Sequence, residues 1–352
     1  MTRIAEPTQA VTTERNWSLP ITATTSGMAR ATLSRSRRTA LITGAVGAVL
    51  LIVTPLLVDS YWLYLLSTLL AYTIAVMGAR VLFGIAGIFS LAQATFVGIG
   101  AYTSAIAATT LQLSGGYELL LVLAVSITAS LLVGIPAIRV NGLRLALVTL
   151  AFGELFQWWI TNNREVSGGT QGITVDSFYI PGIDTQNPIF LYGMCAVVAF
   201  VVTIVLNHLP RTQLGRNMAA VRESEFAARS VGVSLSKTKI TAFVIAGVCA
   251  GISGFLVAHV VGSVTPSNYD MFPSVYILVG VILGGSGSTV GAWIGAAYVS
   301  LAPPIFSAFN QDRLYVLLSG ALLVALIYVL PGGLVQLGRF FVRRTPRKAE
   351  LS

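Results

Sequence analysis

Residues Arg211 to Lys239 read RTQLGRNMAAVRESEFAARSVGVSLSKTK, the one long polar stretch in the second half of the chain. It carries six basic residues (Arg211, Arg216, Arg222, Arg229, Lys237 and Lys239) and two acids, Glu223 and Glu225. Apolar runs of about 20 residues lie on either side, long enough to cross the hydrocarbon core of a bilayer. A polar island between two such runs is a loop at a membrane surface, so its reading decides the class of the whole chain. Within it Ala219, Ala220, Ala227 and Ala228 favour helix, and Gly232 is a natural C′ stop. A short alanine-rich helix presents a small, closely approachable surface that suits docking to another protein. On charge alone, a solvated loop that only sets orientation is the simpler reading. The rest of the chain decides between the two.

The 352 residues are 55% hydrophobic and only 10% charged, with a net charge of +9. A soluble domain carries about 25% charged residues. The composition is that of a polytopic, all-α membrane protein. Both cysteines, Cys195 and Cys249, lie within apolar runs and offer neither a disulfide framework nor metal-ligand spacing. The two histidines, His208 and His259, sit near span ends, so histidine-based metal or acid–base chemistry is not expected.

Ten apolar runs are candidate spans: 40–58, 60–79, 90–112, 117–139, 142–161, 189–208, 240–261, 273–285, 288–308 and 313–331. The eighth is short, and the pair 273–308 admits a second reading. Residues 1–39, rich in Thr, Ser, Ala and Arg, read as a disordered tail. Arg35, Arg37 and Arg38 then abut the first span and suit an anionic inner leaflet. Residues 335–352 form a basic tail. With the N-terminus inside, all but Arg164 and Arg313 of the 22 Lys and Arg fall on the inner side. Removing or adding one span spoils this asymmetry. The expected topology is therefore ten spans with both termini cytoplasmic.

Two regions are punctuated by glycine. One runs from Gly84 through Gly87 to Gly98 and Gly100. The other contains Gly280, Gly284, Gly285, Gly287, Gly291 and Gly295. Gly287, Gly291 and Gly295 recur every four residues, a spacing that permits close helix packing. Gly284 to Gly287 reads as a break, and short or broken helices in corresponding halves point to a transport path. Ordinary tight packing explains the glycines equally well. Glu154 lies about 18 Å into its span at 1.5 Å per residue. A carboxylate at that depth is a functional candidate that commonly faces the bundle interior. A structural hydrogen bond to a neighbouring helix is the alternative. Gln157 lies at i+3 beside it. Gly284–Gly291 lacks the lysine of a phosphate-binding loop, so any ATP that drives this protein is bound by another chain.

Several stretches together resemble the branched-chain amino acid ABC transporter permease family of the LivM type. They are Ser90-Leu-Ala-Gln-Ala-Thr-Phe-Val-Gly-Ile-Gly-Ala-Tyr102, Gly142-Leu-Arg-Leu-Ala-Leu-Val-Thr-Leu-Ala-Phe-Gly-Glu154, Ser167-Gly-Gly-Thr-Gln-Gly172-Ile, Thr265-Pro-Ser-Asn-Tyr, Leu283-Gly-Gly-Ser-Gly-Ser-Thr-Val-Gly291 and Leu330-Pro-Gly-Gly-Leu334. The tail 1–39 lies outside the resemblance. The resemblance implies the helical fold of an ABC importer permease, with a transmembrane domain over 40–334 and a coupling loop over 209–239. Permeases of such importers dock their ATPase through a cytoplasmic motif often written E-A-A-x-x-x-G. Glu225-Phe-Ala227-Ala228-Arg-Ser-Val-Gly232 is similar, with Phe226 inserted after the glutamate. By resemblance, 223–231 is the coupling helix, with Glu223, Glu225, Ala227, Ala228 and Gly232 serving ATPase coupling. Its alanines would sink into a cleft of the ATPase. Arg222 and Arg229 would add exposed charge pairs of small effect. Gln93, Glu154 and Gln157 are the candidates for the solute path. Gly84, Gly87, Gly284, Gly285, Gly287, Gly291 and Gly295 are the candidates for packing and breaks.

The implied assembly has a second permease subunit, two ATPase subunits that use ATP and Mg, and an extracytoplasmic solute-binding protein. It sits in the lipid of the bacterial inner membrane and has no nucleic-acid partner. This chain itself is expected to catalyse no reaction and to bind neither cofactor nor metal. Branched-chain amino acids are the expected solutes; urea or short amides are the alternative. An ion-driven secondary transporter is the rival of another class, for which Glu154 is the one acid well inside a span. The loop 162–188 is expected on the outer side. A cysteine placed at Gly169 is then expected to react with an impermeant thiol reagent from outside, and labelling only after the membrane is opened would overturn the ten-span topology.

Overall fold

The computed structural model describes residues 58–140, 142–175, 187–308 and 321. The first and last expected runs, and the tails 1–39 and 335–352, fall almost wholly outside the described residues. The other expected runs are helical over most of their length. They form α1 (Ser60–Arg80), α2 (Gln93–Thr109), α3 (Gly115–Ala137), α4 (Leu143–Asn162), the four-residue α5 (Arg164–Ser167), α6 (Pro188–His208), α7 (Gln213–Glu223), α8 (Glu225–Ser230), α9 (Leu235–Val261), α10 (Met271–Gly284) and α11 (Thr289–Ala308). Five of these are long and apolar enough to cross a membrane: α1 with its terminal turn, α3, α6, α9 and α11. Among the described residues the strand content is one two-residue ladder, β1 (Ile173–Thr174) against β2 (Ser263–Val264).

α9 and α1 form the centre. α9 packs on α1, α2 and α3, and α1 is flanked by α6 and the α10–α11 hairpin. Small residues set these contacts. Gly251 of α9 lies so close to Gly100 of α2 that a Cβ on Gly100 would stand 2.6 Å from the Gly251 Cα. A Cβ on Gly251 would meet Ser126 of α3, and one on Gly247 would meet Ser130. Two small residues four apart on α9 thus face two small residues four apart on α3. Lipid tails are as apolar as leucine, so helices in a membrane associate through such close packing rather than through burial of apolar area.

Two of the expected spans are short, and the structure shows why. α1 does not end at Arg80 but widens into a π turn, Val81–Ile85, with Ala86 N–H donating to Val81 O at 2.9 Å. Gly87 then takes φ +69° and the chain doubles back. Gln93 Nε2 donates to Ala75 O at 3.2 Å, so α2 starts beside the middle of α1 rather than at its end. Its 17 residues are about 25 Å long, less than the hydrocarbon thickness. α10, with 14 residues, is shorter still and ends at Gly285, φ +96°. Its backbone touches that of α11, where a Cβ on Gly291 would stand 2.6 Å from the Gly284 carbonyl carbon. Gly280 and Gly295 face each other in the same way, whereas at Gly287, in the turn, an added Cβ would meet nothing within 4 Å.

The helices alternate in direction. The ends of α1, α3, α6 and α10 share one side of the bundle with the starts of α4, α9 and α11. Arg80, Arg139, Arg144 and the polar island all lie at that end, and Arg164 lies at the other. There Gly168, Gly169 and Gly172 all have positive φ and fold the Ser167–Ile173 stretch against Thr265–Tyr269 through the ladder Ile173↔Val264 and Thr174↔Ser263. Burial holds the Asp270 carboxyl above its usual range, against the pull of the Phe272 N–H that it accepts at 2.9 Å. Gly169 is buried, and an added Cβ would stand 2.7 Å from Arg164 Cγ. The exposed neighbour Thr170 is therefore the better labelling position.

The same end holds a buried polar cluster. His259 of α9 meets Glu118 of α3 at 2.7 Å (Nε2 to Oε1), and Ser104 of α2 donates to the same carboxylate oxygen. Ser104 Oγ is 3.2 Å from His259 Nε2. Neither Glu118 nor His259 is marked as functional by its local sequence. The available signal was an acid only three residues inside an apolar helix. Three helices are clasped where water cannot compete. Removing one partner of a buried hydrogen-bonded pair costs about 1–3 kcal/mol or more, whereas replacing both by apolar groups of similar shape is nearly neutral. Glu118→Leu is expected to lower the thermal midpoint of the detergent-solubilised chain markedly, and Glu118→Leu/His259→Leu to recover part of the loss. An additive fall in the double variant would show that the two side chains do not act as a pair.

Candidate functional site

The polar island folds as two helices, not one. Thr212 caps α7, its hydroxyl accepting from Gly215 N–H at 3.2 Å. Gly215, Met218 and Val221 form its buried face. The expected helix 223–231 is interrupted at Ser224, whose backbone is extended (φ −162°, ψ 117°). Ser224 Oγ accepts from Ala227 N–H at 3.3 Å and so caps the short α8. The serine competes for backbone hydrogen bonds better as a cap than as an interior helical residue.

α8 ends as its glycine requires. Gly232 takes φ +83° and donates to Arg229 O at 3.1 Å, and Val233 N–H donates to Ala228 O at 3.0 Å. These two bonds are a Schellman closure, and the apolar contact between Val233 and Ala228 completes it. An added side chain at Gly232 meets nothing within 4 Å, so conformation rather than space selects glycine there.

The closure sorts the motif residues into two sets. Ala228 is only 2% exposed and packs against Val221 and Leu235 of its own chain. The expectation that both alanines sink into a partner is therefore revised for Ala228. Glu225 is half-buried and pairs with Lys239 at 2.9 Å (Oε1 to Nζ), while the lysine itself is 3% exposed. This pair ties α8 to the first turns of α9. Removing Glu225 would leave a buried ammonium, although the glutamate's own exposure moderates the cost. The outward set is Glu223, Phe226, Ala227, Arg229 and Val231. Phe226 is 85% exposed and Val231 77%. The residue that departs from the family motif is the most exposed apolar side chain of the loop.

Arg222 also differs from the sequence reading. Its side chain does not stand free as a surface charge: the guanidinium donates to Gly84 O in the π turn of α1. Its stem runs under Gly87, where an added Cβ would stand 2.6 Å from Arg222 Cγ. Gly84 in turn abuts Ser286 in the α10–α11 turn. Arg80 of α1 donates to Gly287 O at 3.4 Å, while its Nε and Nη1 have no acceptor among the described residues. The two glycine breaks thus meet each other beneath the loop.

The solute-path candidates take different environments. Gln93 is 3% exposed and its amide donates to Ala75 O at 3.2 Å and Ala246 O at 3.4 Å, tying α2 to α1 and α9. It borders a cavity of ≈10 Å³, room for about one water, at the meeting of α1, α2 and α10. There Leu91 N–H donates to Thr149 Oγ1 at 2.9 Å and Ala94 N–H to Ser274 Oγ at 3.0 Å. Gln157 donates to Pro266 O at 3.1 Å near the far end of α4. Glu154, one turn away, is exposed on the outward face of α4 with Ala151, Leu155 and Trp158. Its carboxylate points away from the bundle that the sequence expected it to face. The three candidates therefore do not gather into one site within this chain.

The family model for the branched-chain amino acid transport system permease component matches residues 61–327. The high-affinity branched-chain amino acid transport system permease protein LivM of Salmonella typhimurium is 32% identical over 292 residues, covering 76% of this chain and 68% of its own length. The LivM protein of Escherichia coli K12 is 30% identical over 315 residues, covering 83% and 74%. The corresponding LivH protein of Salmonella typhimurium is 24% identical over 282 residues, covering 75% and 91%. No solved structure matches the chain. A packed helical bundle with membrane-length apolar helices, joined to a match over most of the sequence, places the chain in the branched-chain amino acid transport system permease component family.

Proposed function

We propose that this chain is a permease subunit of an ATP-driven importer of branched-chain amino acids in the bacterial inner membrane. It crosses the membrane ten times with both termini in the cytoplasm. It works with a second permease subunit, two ATPase subunits that bind ATP and Mg, and an extracytoplasmic solute-binding protein. The chain holds no nucleotide site of its own. The observation that carries this reading is the loop Glu225–Gly232: a capped, Schellman-closed helix, held to α9 by a buried lysine, that presents Phe226, Ala227 and Val231 outward. Phe226 and Val231 are the large apolar side chains that α8 and its closing turn offer to a partner. ATP binding moves the ATPase pair, and the loop passes that displacement to spans that pack differently in the inward and outward states.

Glu154 locates the solute path in this reading. A carboxylate at mid-helix is costly against lipid and faces protein or a water-filled cavity. Because it faces out of this chain's bundle, the surface of α4 that carries it faces the second permease, and the solute passes between the two. The short helices α2 and α10, which meet at Gln93 and Ser274, form the wall of that path.

Two variants test the reading. Phe226→Ser is expected to leave the spans inserted while ATPase co-purification and solute-stimulated hydrolysis fall together. The loss corresponds to an interface anchor of about 2 kcal/mol or more. Unchanged binding and hydrolysis would return the loop to a mere determinant of orientation. Glu154→Gln keeps shape and hydrogen bonding but removes the charge. It is expected to reduce uptake in vesicles with assembly intact, and wild-type uptake would show that the charge is not needed.

A further inference from the structure

The loop is held to the bundle in more than one way. The apolar cluster of Val221, Ala228 and Leu235 and the pair Glu225–Lys239 both fasten it to α9, the span that follows it directly in sequence. Arg222 does something else. It sits at the last turn of α7 and reaches α1, a span 138 residues away in sequence, through the Gly84 carbonyl. Gly87, with φ +69°, leaves the space in which the arginine stem lies.

What Arg222 grips is the least regular part of α1. In the π turn Val81–Ile85 the regular i→i+4 ladder is replaced by longer bonds, Ala86 N–H to Val81 O at 2.9 Å and Ile88 N–H to Leu82 O at 2.8 Å. Such turns are rare within helices and are frequent at functional sites. On its other side the turn presses on the α10–α11 break, since a Cβ on Gly84 would stand 2.9 Å from the Ser286 carbonyl carbon. Arg80 adds a grip from α1 to that second break at Gly287 O. A continuous line of contacts therefore runs from α7 through Arg222 to the first break, then to the second. From there it reaches the two short helices, because α2 follows the first break and α10 ends at the second.

We propose that Arg222 is a positioning residue, a strut that transmits displacement of the loop to the paired glycine breaks and so to α2 and α10. The proposal rests on the reading that this loop docks an ATPase. It assigns Arg222 to transmission within the chain and Phe226 to docking. Lysine ends one bond short of the Arg222 nitrogen that donates to Gly84 O and lacks the fixed guanidinium plane, so it does not reproduce the contact.

The test uses the whole assembly, with both permeases, the ATPases and the binding protein, reconstituted in vesicles. Three quantities are read: ATPase co-purification, the rate of hydrolysis and the amount of leucine carried per ATP hydrolysed. Phe226→Ser serves as the docking control. Arg222→Ala and Arg222→Lys are expected to co-purify with the ATPase at wild-type level and to hydrolyse ATP, while leucine carried per ATP falls about ten-fold, within the usual range of coupling free energies. A role confined to stability would lower the yield of assembled complex but leave that ratio unchanged in what assembles. Where Arg222→Ala lowers the yield, Arg222→Lys decides, since it keeps the charge and the stem. An unchanged ratio in the lysine variant overturns the strut. Loss of ATPase co-purification in the arginine variants makes Arg222 a docking residue and overturns it equally. If Phe226→Ser also binds and transports normally, the docking reading itself has failed, and that outcome is distinguishable from failure of the strut alone.

Discussion

Backbone-to-backbone contact between helices is the constraint on which the rest of this structure depends. Where no water is available to drive apolar surfaces together, spans hold by close approach, which small residues on at least one side allow. Gly100 against Gly251, Gly254 against Val97, and Gly247 and Gly251 against Ser130 and Ser126 lock α2, α3 and α9 into one body. The clasp of Ser104, Glu118 and His259 pins the same three helices at one end. Because that body is tight, the places where it is not regular stand out. They are the π turn of α1, the turn after α10 and the loop beneath them.

Those irregular places lie together, in contact through Arg222, Gly84 and Arg80. The loop is braced throughout: Thr212 caps α7, and the Ser224 cap, the Schellman closure and the pair Glu225–Lys239 leave α8 little freedom to bend. A rigid loop passes a push on rather than absorbing it. It meets the bundle where the helical ladder is weakest, at Gly84 and Gly87. The residues beyond that point, α2 and α10, are the two helices too short to span alone. Rigid parts joined at soft joints are what a change between two packed states requires.

Much of this was legible in the sequence. Run lengths and the placement of arginine and lysine gave the helices and their alternation, because both follow from the cost of polar groups in hydrocarbon. Gly232 as the stop of α8 followed from the left-handed conformation that a helix end needs. What was not legible depended on where helix faces turn. Ala228 and Ala227 are adjacent in sequence and alike in chemistry, yet one is buried in its own chain and the other is exposed. Arg222 looked like one more surface charge, since its partner is a backbone carbonyl far away in sequence. Glu154 read as an inward residue from depth alone, because depth along a helix says nothing about azimuth. Glu118 and His259 were passed over for the same reason: 141 residues separate them and no local spacing joins them.

Site-specific photo-crosslinking in the intact assembly tests the central claim most directly. A photoreactive side chain is placed in turn at Phe226, Val231 and Ala228, and the captured subunit is identified. The account predicts capture of the ATPase from positions 226 and 231, and from position 228 only crosslinks within this chain. No ATPase captured from either outward position, in an assembly that still transports, would contradict it.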